Sequence, residues 1–450
     1  MRHLNRLLLA LACLSLSSSL LASKPPSPLY DYLALPEPTF AWQKDGQAEL
    51  DGVVVHDLTM TSQTWQGAPW RHGLHVFVPN ADRHPGWAVL IIGGGSGPPS
   101  SDPSDAADRR MGASVAAALG TPAALLTRVP NQPLFGELVE DALIAYTFRR
   151  YLETGDAHWP LLLPMTKSVI KAMEVVQAFA RQELQQEINH FVVTGASKRG
   201  WTAWLTAASG DPRVRGIIPM VYDSLNLAAQ MPHQLALWGR YSEQIADYTA
   251  TGLVQRMTTT EGRALTAIVD PYTYRSRLAL PKLIVNGSND PYWATDALSL
   301  YWDDLPGPKA VLYLPNCGHD LADWPRVLAT CSAFLDTLAE GQRFPAIAWE
   351  QQERGDTLLL ILRSSPLPQE GRLWIAHSPT HDFRCATWSE APMRRRGRVF
   401  VGEVPKSETG SVALFGEAVY REGDRTFTLS TAPHIYPSPP GPRDASPSPR

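Results

Sequence analysis

The sequence predicts an α/β fold followed by an all-β segment, on three observations. Through the middle of the chain, short apolar β-branched runs alternate with helical patterns, as in a mostly parallel sheet with helices on both faces. One such run passes directly into a glycine turn and a helix, in FVVTGASKRGWTAW (Phe191 to Trp204). From Pro345 onward the runs are short and alternating with no long helix between them, which predicts a β-sandwich.

Composition narrows the classes. A hydrophobic content of 44% with 19% charged residues is that of a folded globular chain. A net charge of −4 supplies no basic field, which argues against nucleic acid as the main partner. Residues 1–23 read as a signal peptide: Arg2, His3 and Arg6 precede a short apolar centre, and a Ser-rich exit ends at Ala22-Ser23. That apolar run is too short to span a membrane, so a periplasmic or extracellular location is expected. A lipid anchor at Cys13 is the alternative. Cys317, Cys331 and Cys385 then remain; the first two can bridge if the loop of one folds over the helix of the other. No CxxC or HExxH pattern occurs, and neither a metal nor another cofactor is expected.

In order along the chain, Ser27 to Asp45 is Pro-rich and reads as a surface-wrapping segment. Asp51 to Ser62 and Trp70 to Pro79 read as an antiparallel pair at a sheet edge. WAVLII (Trp87 to Ile92) is a buried central strand ending in Gly93-Gly94-Gly95-Ser96-Gly97, with no P-loop Lys or dinucleotide spacing behind it. A helix over Asp105 to Leu119, a strand over Ala123 to Arg128 and a helix over Glu137 to Tyr151 follow. A long helix opens at Pro164 with Thr166 as its N-cap. After the glycine-turn strand comes Arg213 to Tyr222, with Asp223 at its carboxyl end. Residues 224–280 interrupt the alternation with aromatic-rich helical segments, the expected place of a lid. Pro281 to Asn286 and Ala310 to Leu314 complete the sheet, and Leu321 to Gly341 is the closing helix. The expected organisation is therefore 27–343 for the α/β domain, 345–436 for the sandwich and 437–450 for a Pro/Ser-rich disordered tail.

Strand, glycine turn and helix with a Ser between glycines is the nucleophile elbow of α/β-hydrolases, here as G-x-S-x-x-G, with Arg199 where the second Gly is usual. Ser197 is thus the candidate nucleophile, and the Lys198 backbone N–H, at a helix start, a candidate oxyanion donor. The loop after the preceding buried strand places Gly94 and Gly95 as the second oxyanion element. His319, in Gly318-His319-Asp320, is the candidate base. The acid is Asp290, preferred because the loop after the penultimate strand is its usual place in this fold, with Asp223, at the end of the strand before, as the rival. Ser, Asp, His is the chain order of this fold, and the chemistry is that of a relay. Imidazole takes the hydroxyl proton, and carboxylate fixes the tautomer. Trp238, Tyr241 and Trp293 are the expected substrate-contacting aromatics. The composite expectation is an α/β-hydrolase fold with a helical lid insertion and a C-terminal sandwich-like domain. Its activity would be that of a serine hydrolase on a small-molecule, peptide or glycan ester or amide.

The blocks TSQTWQGAPWRHGLHVFVP, EDALIAYTFRRYLETGD, VVTGASKRGWTAWLTAA, VNGSNDPYW and LPNCGHDL resemble the PhoPQ-activated pathogenicity-related protein family from about Tyr30 to Tyr436. The resemblance implies an exported, envelope-associated α/β-hydrolase-like protein linked to virulence or resistance to membrane-active peptides. It carries Ser197 over as nucleophile, and Asp290 and His319 as acid and base. The Ser-basic-x-Gly elbow is also similar to that of glucuronoyl esterases, where the residue after the Ser assists the oxyanion; by that analogy Lys198 does so here. A non-catalytic reading, a hydrolase-fold binding protein for a peptide, glycan or protein partner, rests on the non-standard elbow, the 14 Trp residues and the appended β segment.

Overall fold

The computed structural model describes residues 27–97 and 104–437, so the expected signal peptide (1–23) and residues 438–450 of the expected tail lie outside the described residues. Nine strands form one sheet: β1 (Ala41–Leu50), β2 (Val53–Trp65), β3 (Ala68–Pro79), β4 (Trp87–Ile92), β5 (Ala123–Leu126), β6 (His190–Ala196), β7 (Val214–Met220), β8 (Lys282–Gly287) and β9 (Lys309–Leu314). Their order is β1-β2-β3-β5-β4-β6-β7-β8-β9. The first three strands and the β3–β5 pair are antiparallel; the rest pair in parallel. This is the α/β-hydrolase order with one added edge strand. After β4 the chain turns to β5 on one side, and after β6 to β7 on the other. A crevice opens at the carboxyl ends of β4 and β6, where open α/β sheets hold ligands.

The helices are α1 (Ser27–Leu33), α2 (Ser104–Leu119), α3 (Glu140–Thr154), α4 (Leu162–Phe179), α5 (Lys198–Ala208), α6 (Leu227–Trp238), α7 (Ala246–Thr249), α8 (Leu253–Arg256), α9 (Thr260–Val269) and α10 (Trp324–Ala339). α1, α4 and α5 pack together on one face of the sheet, and α2 with α10 on the other. Two sequence readings shift. Thr166 is no N-cap: α4 begins a turn earlier because Leu161, Leu162 and Leu163 are fully buried, and the Thr166 hydroxyl donates to the Leu162 carbonyl. Within the stretch read as surface-wrapping lie α1 and the start of β1. β1 escaped notice because its residues are largely exposed and carry no apolar alternation.

Between β7 and β8 the helices α6 to α9 form the lid over the carboxyl rim. Its two ends are tied by buried Asp270, whose carboxylate accepts from the backbone N–H of Asn226, Leu227 and Tyr272. Beyond α10 come β10 (Ala346–Arg354), β11 (Thr357–Ser365), β12 (Glu370–Ser378), β13 (Ser389–Pro392), β14 (Arg394–Arg396), β15 (Val399–Pro405), β16 (Ser411–Glu422), β17 (Arg425–Ser430) and β18 (His434–Tyr436). They form two antiparallel sheets, β10-β11-β15-β14 and β13-β12-β16-β17, with β18 on β16. The sheets share a core of Leu360, Leu362, Leu373, Phe400 and Leu414. This sandwich docks on α10 and β9: Arg425 pairs with Asp336 at 2.5 Å, and the Tyr313 N–H donates to the Ser430 hydroxyl at 3.0 Å. Cys317 and Cys331 are separate buried thiols, and no bridge forms between them.

Candidate active site

The elbow is built by its close contacts. Ser197 has φ 57° and ψ −126°, a strained conformation for a non-glycine residue, and its N–H donates to the Met220 carbonyl at 2.9 Å. A Cβ on Gly195 would lie 2.8 Å from the Arg199 backbone, and one on Gly200 2.8 Å from the Met220 carbonyl oxygen. The second glycine is therefore required at 200, where α5 crosses the end of β7, and not at 199.

Position 199 carries a side chain because it has somewhere to go. The Arg199 guanidinium makes two 2.6 Å bonds to the Glu140 carboxylate and another to the Val129 carbonyl. It lies against Gly94, where a Cβ would fall 2.7 Å from it. The absence of a side chain at Gly94 thus has a second role beside the expected oxyanion one: it seats Arg199. Gly95 follows at φ 102°, and the register Ile92↔Gly195 sets this loop beside the elbow. The Lys198 ammonium is held by Glu140 at 2.8 Å and Asp141 at 2.9 Å. Its charge is thus taken up by two carboxylates, while its backbone N–H has no intrahelical partner at a first helical position.

Burial pushes the Glu140 carboxyl up, but hydrogen bonds and charge from Arg199 and Lys198 outweigh it and hold its pKa at about 2. A depressed folded pKa adds stability above the ordinary value of 4.5 and loses it as pH falls towards 2. Glu140 is 35% exposed, so solvent screening discounts the effect. Glu140→Gln is expected to cost about 1–2 kcal/mol at pH 7 and much less at pH 3, checked by urea unfolding at both values.

Asp290 and His319 are brought together from the ends of β8 and β9. His319 Nδ1 lies 2.8 Å from Asp290 Oδ2, and Asp290 Oδ1 accepts from the Tyr292 N–H at 2.9 Å. The Tyr292 ring stacks on the imidazole at 4.2 Å. His319 Nε2 is buried and makes no hydrogen bond, to Ser197 or to any other described group. Ser197, on the same rim, is partly exposed. Where a Ser and a His act as nucleophile and base, such contacts are often long until substrate binds.

Asp223, the rival acid, is engaged elsewhere. Its oxygens accept from the Tyr301 hydroxyl at 2.6 Å and the Tyr313 hydroxyl at 2.5 Å. Burial raises its pKa to about 7, against the opposing effect of the tyrosine bonds and with the help of Asp290 and Asp296.

Above Ser197 lies a cavity of about 100 Å³. Its walls are apolar: Phe148, Trp201, Tyr222 and Trp293 on the sheet side, and Met231, Val254 and Leu265 from the lid. Trp201 stacks on Tyr222 at 5.0 Å. Of the three expected aromatics, only Trp293 lines this space. Trp238 lies under the Arg384 guanidinium at 4.1 Å, and Tyr241 packs on the small lid core of Met231, Ile245 and Val254. Their place in the lid sequence says nothing of which helix face turns inward. Trp201 was missed, although it stands only one turn beyond Ser197, at the start of α5. Glu140 and Asp141 were missed because acidic residues in a first helical turn are ordinary.

A family model described as PhoPQ-activated pathogenicity-related protein matches residues 29–384. The chain belongs to this family. Autocrine proliferation repressor protein A of Dictyostelium discoideum is 30% identical over 406 residues, covering 84% of this chain and 80% of that protein. Among solved structures, the family member described here is similar to acetyl xylan esterase 1 from Thermoanaerobacterium sp. (TM-score 0.45, 16% identity, 70% of this chain and 94% of that one). It is likewise similar to a glucuronoyl esterase from Solibacter usitatus (TM-score 0.45, 14% identity, 71% and 92%).

Proposed function

We propose that the protein is a serine hydrolase that accepts an apolar acyl group from an ester or amide. The observation that carries this reading is Ser197 on a strained turn lining a largely apolar cavity, with a paired Asp290–His319 on the same rim. In the proposed reaction Ser197 Oγ attacks the carbonyl carbon as its proton passes to His319 Nε2. The oxyanion takes a bond from the Lys198 N–H. The alcohol or amine then leaves with that proton, and water, deprotonated by the same imidazole, releases the acid.

The cavity suggests which acids. An engineered 150 Å³ apolar cavity in another protein holds benzene, so about 100 Å³ suits a short aliphatic chain. Asp141 and Lys198 also line the cavity, but they neutralise each other, so a charged acyl group gains nothing there. The leader over residues 1–23 supports export as part of this proposal.

With p-nitrophenyl esters, kcat/KM is expected to rise from acetate to a maximum near butanoate or hexanoate. A fluorophosphonate probe is expected to label the wild type and not Ser197→Ala. Folded wild type that is neither labelled nor active across the series would favour the non-catalytic, ligand-binding reading of the same cavity.

A further inference from the structure

Resting on the hydrolase reading above, the geometry points to the sandwich loop 379–388, between β12 and β13, as a clasp that positions the acid–base pair and fastens the lid. We infer that Asn289 and Asn316 are the positioning residues through which it acts.

Asn289 directly precedes Asp290, and its side-chain amide donates to three carbonyls of that loop: Phe383 at 3.3 Å, Arg384 at 3.2 Å and Ala386 at 2.7 Å. Asn316 stands three residues before His319, and its amide exchanges two bonds with Trp388. Nδ2 donates to the Trp388 carbonyl at 2.9 Å, and Oδ1 accepts from the Trp388 N–H at 2.7 Å. The two asparagine loops are also joined directly. Asn316 N–H donates to the Ser288 hydroxyl at 2.9 Å, that hydroxyl donates to Asn289 Oδ1 at 2.7 Å, and Asn289 N–H donates to the Cys317 carbonyl at 2.9 Å.

The clasp is anchored on its own side. Phe383 and Trp388 are buried in the main core, and Trp388 meets Phe415 of β16 at 5.0 Å. Between them Arg384 reaches the lid: its guanidinium covers Trp238 at 4.1 Å and pairs with Glu243 at 3.0 Å. One loop therefore touches the acid-bearing loop, the base-bearing loop and the lid.

Loops held at a single end tolerate shifts of an ångström, and a shift of that size at a reacting group costs about a hundredfold in rate. Neither asparagine is placed to touch substrate, so their effect must pass through Asp290 and His319. Arg384 fastens the end of α6, whose Met231 lines the cavity, so its effect belongs in substrate binding.

The test uses the full-length chain and p-nitrophenyl butanoate. Asn289→Ala and Asn316→Ala are each expected to lower kcat about 10- to 100-fold with KM within twofold. The downfield Nδ1–H proton resonance of His319 should shift or broaden in both. Arg384→Ala is expected to raise KM about three- to tenfold with kcat nearly unchanged. Far-ultraviolet circular dichroism and Tm establish that each variant is folded. Folded alanine variants with wild-type kcat and an unmoved resonance would overturn the clasp while wild-type turnover stands. An inert wild type would instead remove the hydrolase reading beneath it.

Discussion

Asp290→Asn is expected to lower ester kcat about a thousand- to ten-thousandfold while leaving the fold intact. The reason lies in the 2.8 Å bond between Asp290 Oδ2 and His319 Nδ1. A carboxylate there only accepts, so Nδ1 must carry the proton and Nε2 keeps the lone pair that, in the proposed reaction, removes the Ser197 proton. An amide can turn its NH2 towards Nδ1, which favours the opposite tautomer and puts the proton on Nε2. The residues of a relay act as one unit, so the loss should not be additive. Ser197→Ala combined with Asp290→Asn should be about as slow as Ser197→Ala alone. Steady-state kinetics on the single and double variants check this, and additive losses would mean that the two act separately.

Asp223→Asn is expected to do the reverse, keeping turnover within a few-fold and changing the pH dependence of stability. The folded pKa of Asp223 is raised by burial from 3.8 to about 7. The folded state therefore holds this proton more tightly than the unfolded chain does. The associated stability is complete below pH 3.8 and is lost as pH rises through 7. At 1.36 kcal/mol per unit the loss amounts to a few kcal/mol. An Asn amide can accept from one of Tyr301 and Tyr313 and donate to the other, much as the protonated acid does, without ionising. Relative to the variant, the wild type should lose stability between pH 4 and 7.5. Urea midpoints across that range read this directly. A flat difference would show that Asp223 stays charged. Loss of activity in Asp223→Asn with retention in Asp290→Asn would exchange their roles.

Much of the site lies within short stretches of chain. In FVVTGASKRG the backbone that lifts Ser197 is specified by its own neighbours: β-branched residues make the strand, and Gly195 and Gly200 admit the contacts that close the turn. Ser197, Asp290 and His319 follow parallel strands, so their loops share one rim of the sheet. The pocket wall was less legible. Trp238 and Tyr241 lie in the lid segment as expected, yet α6 and the turn after it direct them to Arg384 and to the lid core. β1 was missed because an exposed edge strand has no buried face to impose a period of two.

The sequence by itself determined the strand-to-helix elbow, the alternation of strands and helices and the change to an all-β segment near residue 345. Those features depend on residues close in the chain, through turn sterics and the period of apolar side chains. Tertiary structure alone decided that Asp290 and not Asp223 meets His319, that Lys198 and Arg199 spend their charges on Glu140 and Asp141, and that a sandwich loop reaches Asn289, Asn316 and the lid. These contacts join residues from about 30 to 140 positions apart. Their partners are selected by which strand ends and loops the packed core sets side by side, and no local pattern encodes that.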